Sequence, residues 1–190
     1  MRSAVLTAAL LALLTLGIVA ENRFMQFPCP SVARVRFPVD PQVFQIVQGY
    51  AVPNVRHHGR YHTGEDYFTG SADATLGQPV RAIANGRVTY AYPLGWGRDG
   101  GVVILEHVMP DGTVYYSQYG HLRESDRVKF PMPFTCIEEG AIIGVIGDAR
   151  PAPHLHFEIR TGGRDLPGPG YTWMHPDDDI YLNPSGFIIM

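Results

Sequence analysis

The sequence predicts a mainly β, single-domain protein built on an antiparallel sheet or a barrel-like sandwich. Short apolar runs are bounded by turn residues, and almost no helical periodicity is present. The chain also contains 21 Gly, 16 Pro, 10 Tyr and 9 Phe, which is typical of a turn-rich β protein. Its 190 residues suffice for one domain with a proper core and hardly for two. The net charge of -3, without a basic stripe, argues against nucleic acid as a partner.

The first twenty residues resemble a secretory signal peptide. Arg2 precedes an uncharged apolar run at residues 4–20, and Glu21 follows it. A run of this length is also at the lower limit for a membrane span, so an uncleaved anchor through residues 4–20 is the alternative. In either case we expect the rest of the chain to be exported to the periplasm, the cell envelope or the extracellular space.

Residues 21–48 contain four prolines and no helical period, which predicts an arm that wraps the edge of the domain. Cys29 lies in this arm, and the second of the chain's two cysteines is Cys136. In an exported chain, such a pair favours one disulfide that ties the arm to the domain, with two buried thiols as the alternative.

Strand and turn signals follow one another from Gln78 onwards. Two short strands are predicted around Asn85-Gly86, the dipeptide most typical of a hairpin, and the turn at 110–113 joins two more. The runs "GAIIGVIG" and "HLHFEIR" complete the series. We therefore divide the exported chain into an arm at 21–48, a core at 49–165 and a loop-rich closing segment at 166–190, whose acidic run at 177–179 we expect to be solvated.

The stretch "APHLHFEIR" at residues 152–160 places polar and apolar residues at alternate positions. This period of two predicts a strand whose one face carries His154, His156 and Glu158, while the residues between them enter the core. A merely solvated strand face is usually filled with Thr, Ser, Lys or Glu. Two histidines on one face therefore suggest chemistry.

A second cluster lies at "RYHTGEDYF", where His62 and Asp66 are four residues apart. Gly64 argues against a helix, but a turn at Thr63-Gly64 could direct both side chains to one point. Two histidines and one carboxylate form a known catalytic zinc set that leaves a position for water. Glu65 is an alternative carboxylate, and no His-Glu-x-x-His helix is present in the sequence.

Six motifs occur in the order found in LytM/lysostaphin-type zinc metallopeptidases, the peptidase family M23. They are "HTGEDY", "ANGRV", "GGVVILEH", "YGHL", "EEGAIIGVIG" and "PHLHFE". The chain resembles this family over about residues 60 to 160. The resemblance implies a LytM-like antiparallel β domain with a substrate groove, which cuts peptide bridges of bacterial peptidoglycan.

Carried over residue by residue, the resemblance implies that His62, Asp66 and His156 bind one Zn²⁺ per chain. His121 and His154 then correspond to the two unligated histidines beside a zinc-activated water, one as base and one as acid, in an order that the sequence leaves open. Glu158 is interpreted as a supporting or structural residue. The stretch "DARPAP" replaces the family's usual Gly/Thr-rich turn beside the site, which leaves substrate preference there open.

The leading hypothesis is an exported, monomeric zinc endopeptidase that acts on peptidoglycan cross-links or bridges. The alternative is a non-catalytic envelope protein that binds wall material or regulates another wall hydrolase. The presence of all five expected histidine and aspartate positions favours the enzyme. Outside this set, we expect His107 to be a structural histidine. His57 and His58 are expected to be exposed loop residues, with lining of the groove as the alternative. The arm at 21–48 could cover the groove as a propeptide does.

Overall fold

The structure, a computed structural model, describes residues 28–190, whose regular secondary structure consists mainly of antiparallel strands. The strands are β1 (Gln45–Gln48), β2 (Pro53–Asn54), β3 (Arg60–His62), β4 (Glu65–Phe68), β5 (Pro79–Arg81), β6 (Gly86–Tyr92), β7 (Gly101–Val108), β8 (Val114–Arg123), β9 (Cys136–Ile137), β10 (Ile142–Ile146), β11 (Leu155–Arg160), β12 (Tyr171–Thr172) and β13 (Tyr181–Leu182). Two short helices, α1 (Ala72–Thr75) and α2 (Pro184–Ile189), accompany them. The predicted fold class is confirmed.

Ten strands form one sheet, whose main path runs β1-β4-β11-β8-β7-β6-β9. Strand β10 joins this sheet through β5 and β8, and β13 pairs with β11. A second sheet of three strands has the order β12-β3-β2. The turn predicted at 110–113 does connect β7 to β8, since Met109 N donates to Thr113 O at 2.8 Å.

The core lies against the face of the large sheet to which Leu155, Phe157 and Ile159 of β11 point, and all three are fully buried. The alternation predicted for this strand is therefore confirmed. The polar face differs from the expectation, because His156, Glu158 and Arg160 are buried as well. A second layer of chain covers that face, and the site described below lies within it.

The described part of the arm belongs to the core. Val32, Val39 and Phe44 are buried in the main hydrophobic cluster, and Arg36 N donates to Ile83 O at 2.9 Å. The arm continues into β1, an edge strand paired with β4. The hypothesis of an arm lying over the groove is thus wrong for residues 28–44, because their apolar side chains supply core contacts.

The hairpin predicted at Asn85-Gly86 is also wrong. Strand β5 pairs with β10, while β6 pairs with β7 and β9. Gly86 is needed for a different reason: a Cβ at this position would lie 2.7 Å from Glu106 O of the adjacent strand. Close approach between strands, rather than a tight turn, explains this glycine.

The predicted signal peptide or anchor at residues 1–20 lies outside the described residues. Within 28–190, no helix combines the length and the apolar character needed to cross a membrane. The closing segment, predicted to be loop-rich, contributes β12, β13 and α2. Its acidic run at 177–179 is exposed as expected.

Cys29 and Cys136 form the disulfide that the sequence favoured, and it ties the arm to β9 across 107 residues of sequence. Closing so long a loop restricts the unfolded chain strongly. We expect replacement of both cysteines by serine to lower the free energy of unfolding by about 2–5 kcal/mol, measured by urea denaturation. Circular dichroism of the variant should retain the native sheet signal. Coincident unfolding curves for parent and variant would contradict a stabilising role for this bridge.

Candidate metal centre and groove

The turn between β3 and β4 brings His62 and Asp66 together, as the sequence predicted. His62 ends β3, Asp66 lies in β4, and Thr63-Gly64 form the connection. Gly64 is required because a Cβ there would lie 2.3 Å from Phe157 O of β11. The same close contact holds the turn against the strand that carries His156.

Sheet register supplies the third residue. His156 of β11 lies directly opposite Asp66 of β4 and, on its other side, opposite Gly120 of β8. Antiparallel neighbours on one face have side chains within contact distance. The Nδ1 atom of His156 lies 3.0 Å from Asp66 Oδ1 and 2.9 Å from His62 Nε2, and His62 Nε2 lies 3.2 Å from the same carboxylate oxygen.

These three buried side chains are a cluster that can hold a metal ion. Their outer hydrogen bonds decide which atoms face one another. Gly49 O accepts from His62 Nδ1 at 3.2 Å, and the Glu158 carboxylate accepts from His156 Nε2 at 2.9 Å. Neither acceptor carries a hydrogen, so in the neutral form of each ring the proton lies on the outer nitrogen. In that form the inner nitrogens present lone pairs to each other and to Asp66.

Electrostatics agree with a cation-binding geometry. Burial raises the pKa of Asp66, but hydrogen bonds from His156 and His62 outweigh it and hold that pKa well below its usual value. Burial lowers the pKa of His156, whereas the carboxylates of Asp66 and Glu158 raise it to about 9. Both shifts favour a positive charge beside the Asp66 carboxylate, either a proton on the His156 ring or a bound cation.

Glu158 supports His156 from behind. Its carboxylate accepts hydrogen bonds from His156 and from the Thr63 hydroxyl, and Gln118 Nε2 donates to it at 3.0 Å. The interpretation of Glu158 as a supporting residue thus agrees with its contacts. Glu65 points elsewhere, because its carboxylate accepts from Tyr67 and Ser185 at 2.7 Å each, outside the cluster.

His121 and His154 lie side by side next to the cluster, with ring centroids 4.4 Å apart. Asp99 O accepts from His121 Nδ1 at 2.6 Å, and Ala152 O accepts from His154 Nδ1 at 2.8 Å. In the neutral form of either ring, Nε2 therefore carries no hydrogen. His154 Nε2 lies 3.7 Å from Asp66 Oδ2. Burial and then His154 lower the pKa of His121 to about 3, so its neutral form dominates at neutral pH.

His121 has an unusual backbone for a residue in a strand. Its φ of 59° lies in the left-handed region, which residues other than glycine, asparagine and aspartate rarely adopt. Gly147 N donates to His121 O at 2.7 Å and fixes this conformation. Such conformations store strain and cluster at functional sites.

Asp66 and His156 of the cluster line one cavity of about 900 Å³ together with this histidine pair. The "DARPAP" loop borders it as expected, through residues 150–153. His107, in contrast, lies in the core, where its Nδ1 donates to Asn85 O at 2.8 Å. Burial lowers the pKa of His107 to about 4, consistent with the structural role predicted for it.

Two aromatic residues that line the cavity, Trp96 and Tyr171, were not predicted from the sequence. Trp96 contacts the rings of His121 and His156 at centroid distances of 4.9 and 5.1 Å, and its Nε1 donates to Gly168 O. Tyr171 packs on His62 and stacks on His57. His57 is exposed, as expected, yet lines the cavity, and the closing segment contributes to the site although no chemistry was expected of it. A tryptophan within the Gly-rich loop "LGWGRDGG" was the available signal.

Comparisons with known proteins identify the family of this fold. The model of peptidase family M23 matches residues 60–167. The chain is 35% identical over 120 residues to the glycyl-glycine endopeptidase ALE-1 of Staphylococcus capitis, an overlap of 60% of this chain and 28% of that protein. It therefore spans just over a quarter of this curated relative.

Solved structures share the fold. The catalytic domain of lysostaphin from Staphylococcus simulans superposes with a TM-score of 0.54 at 24% identity, covering 77% of this chain and 93% of that one. A zinc-containing peptidase from Vibrio cholerae gives a TM-score of 0.52 at 26% identity, covering 75% of this chain and 40% of that one. With more than half of its length matched by the family model, the chain belongs to peptidase family M23.

Proposed function

We propose that this protein is an exported zinc-dependent endopeptidase that hydrolyses peptide bonds in bacterial peptidoglycan cross-links or bridges. The observation that carries the proposal is the set of three inward-facing donor atoms on His62, Asp66 and His156, each within about 3 Å of the others. Membership of family M23 and the similarity to a glycyl-glycine endopeptidase support peptide hydrolysis. The predicted signal peptide supports export.

The donor set fits zinc. Zinc binds histidine nitrogen and carboxylate oxygen at about 2.0–2.2 Å in tetrahedral geometry, which places neighbouring ligand atoms roughly 3.3 Å apart. The observed separations of 2.9 to 3.2 Å are close to that spacing. Three protein ligands are typical of catalytic zinc sites, which keep one position for water, whereas structural sites are usually four-coordinate. When bound, zinc supplies a Lewis acid and lowers the pKa of water towards neutrality.

The chain's own residues would supply the proton transfers. In its neutral form, either His121 or His154 can accept a proton at Nε2 from the nucleophilic water and later donate it to the leaving amine. The short bond to Asp99 O keeps the His121 ring from turning. Trp96 packs against this histidine and excludes water from one side. The substrate would lie along the cavity, beside both rings.

Zinc affinity should depend on Glu158. Its two oxygens accept from three donors, and glutamine would present an NH₂ group to one or more of them. We expect Glu158→Gln to lower zinc affinity about 10–100-fold, because supporting residues orient metal ligands and raise their basicity. Competition with a chelator measures the constant. The matched control is Glu65→Gln, which alters a buried carboxylate outside the cluster and should leave zinc affinity unchanged. Equal affinities of the two variants would refute the role of Glu158.

Two histidine substitutions separate metal binding from turnover. The purified protein should carry about one zinc and release peptides from isolated peptidoglycan. We expect His156→Ala to lose both, since it removes a ligand. We expect His121→Asn to retain zinc and to lose about 10²–10⁴-fold in rate, the usual contribution of a general acid or base.

His58→Asn is the matched control for the second substitution. His58 also has a left-handed backbone, with φ 60°, and lies outside the cavity lining. Asparagine tolerates this conformation, so zinc content and rate should match the parent. Full zinc in His156→Ala would overturn the ligand assignment. A parent that binds zinc but releases nothing from any wall preparation would favour the non-catalytic alternative.

A further inference from the structure

One wall of the cavity is formed by residues outside the span that the family model matches. This wall consists of Gln48, Asn54, Arg56, His57 and Tyr171, and we call it the small-sheet wall. Its members precede residue 60 or follow residue 167. It lies next to the cluster of His62, Asp66 and His156, because the rings of Tyr171 and His62 lie 4.9 Å apart. A backbone hydrogen bond joins the neighbouring residues, since Thr63 N donates to Gly170 O at 3.0 Å.

Asn54 organises the small-sheet wall through three contacts. Its side-chain amide donates to Gln48 Oε1 and to the Tyr171 hydroxyl, at 3.2 Å each. Its side-chain oxygen accepts from Arg56 N at 2.9 Å and caps the short 3₁₀ turn that follows. The ring of His57 in that turn stacks on Tyr171, with centroids 3.7 Å apart and planes inclined by 9°. The wall is therefore a built surface joined to both sheets.

Arg56 is the charged member of this wall. Within residues 28–190, no carboxylate lies within salt-bridge distance of its guanidinium, and the capping bond engages only its backbone. The other arginine that lines the cavity, Arg150, lies 3.5 Å from Asp99 Oδ1. Arg60, close in sequence, has its guanidinium over the Trp173 ring at 4.7 Å. Arg56 thus offers a planar set of donors to a ligand in the cavity.

We propose that Arg56 is a specificity-determining residue, which binds a side-chain carboxylate of the substrate peptide beside the scissile bond. The inference rests on the proposed function, which places a peptide in the cavity. A guanidinium forms strong, paired hydrogen bonds with a carboxylate. An endopeptidase cuts away from chain termini, so a carboxylate close to the cluster belongs to a side chain. The His57–Tyr171 stack supports the aliphatic part of that residue. An uncharged bridge peptide would leave Arg56 without a partner.

The test compares peptidoglycan fragments with free carboxylates against the same fragments after conversion to primary amides with carbodiimide and ammonium. For the parent protein we expect kcat/KM to be about tenfold higher with free carboxylates than with amides, mainly through a lower KM. This is about the gain in binding that one charge-assisted hydrogen bond provides. Arg56→Gln should reduce this preference to near one. Arg56→Lys keeps the charge but loses the paired geometry, and should retain part of it. Arg127→Gln removes the same charge from an exposed loop outside the cavity lining, and should keep the full preference.

A binding measurement separates this proposal from the proposed function. Calorimetry of both fragment sets with His121→Asn, and with the same variant carrying Arg56→Gln, gives affinities without turnover. A carboxylate preference that disappears with Arg56→Gln supports the inference even if the parent cleaves nothing. Equal affinity for free and amidated fragments, or a preference that survives Arg56→Gln, overturns it while leaving hydrolysis intact. Fragments that neither bind nor react would overturn both proposals.

Discussion

The pairing of β11 with a strand on each side is the constraint on which the site depends. Strand β4 lies along one edge of β11 and β8 along the other, so His156 is opposite Asp66 and Gly120 at the same level. His121 follows Gly120 directly. Three chain segments that are far apart in sequence are thereby fixed at one point by backbone hydrogen bonds. A shift by one residue in either register would turn His156 to the core face, because side chains alternate across a strand.

Burial of the polar face of β11 follows from the same pairing. A buried carboxylate is costly without hydrogen bonds, and Glu158 obtains donors from three different elements: β11, the β3–β4 turn and β8. Gln118, one of these donors, also accepts from Gly168 N at 2.6 Å through its amide oxygen. A Cβ on Gly168 would lie 2.6 Å from Glu158, so only glycine allows the covering segment to approach. The cover over the polar face and the orientation of His156 therefore depend on each other.

Much of the site could be predicted from sequence because the signals are local. The alternation around His156 and the short interval from His62 to Asp66 each specify geometry within one element or one turn, and the structure brings all three residues together. Which strands pair with each other was harder to predict from the sequence. Asn85-Gly86 has the composition of a hairpin, yet β6 pairs with β7 along most of its length, from Arg87 to Tyr92. Local turn preference is worth less than such tertiary pairing.

The aromatic residues that line the cavity had no local sequence signal of comparable strength. Trp96 and Tyr171 are single residues in loop-like sequence, and their role depends on contacts with segments far away along the chain. A similar limit applies to the arm: its prolines indicated an extended course, but only the sheet shows that Val39 and Phe44 complete the core.

The small-sheet wall and the candidate metal-binding cluster meet at His62. His62 belongs to β3, the central strand of the small sheet, whereas Asp66 and His156 belong to the large one. The three candidate ligand atoms converge only if the two sheets keep their mutual position, and the Thr63–Gly170 backbone bond and the packing of Tyr171 on His62 help to maintain it. Residues beyond the family-model span thus help to hold His62, a candidate metal ligand, within it.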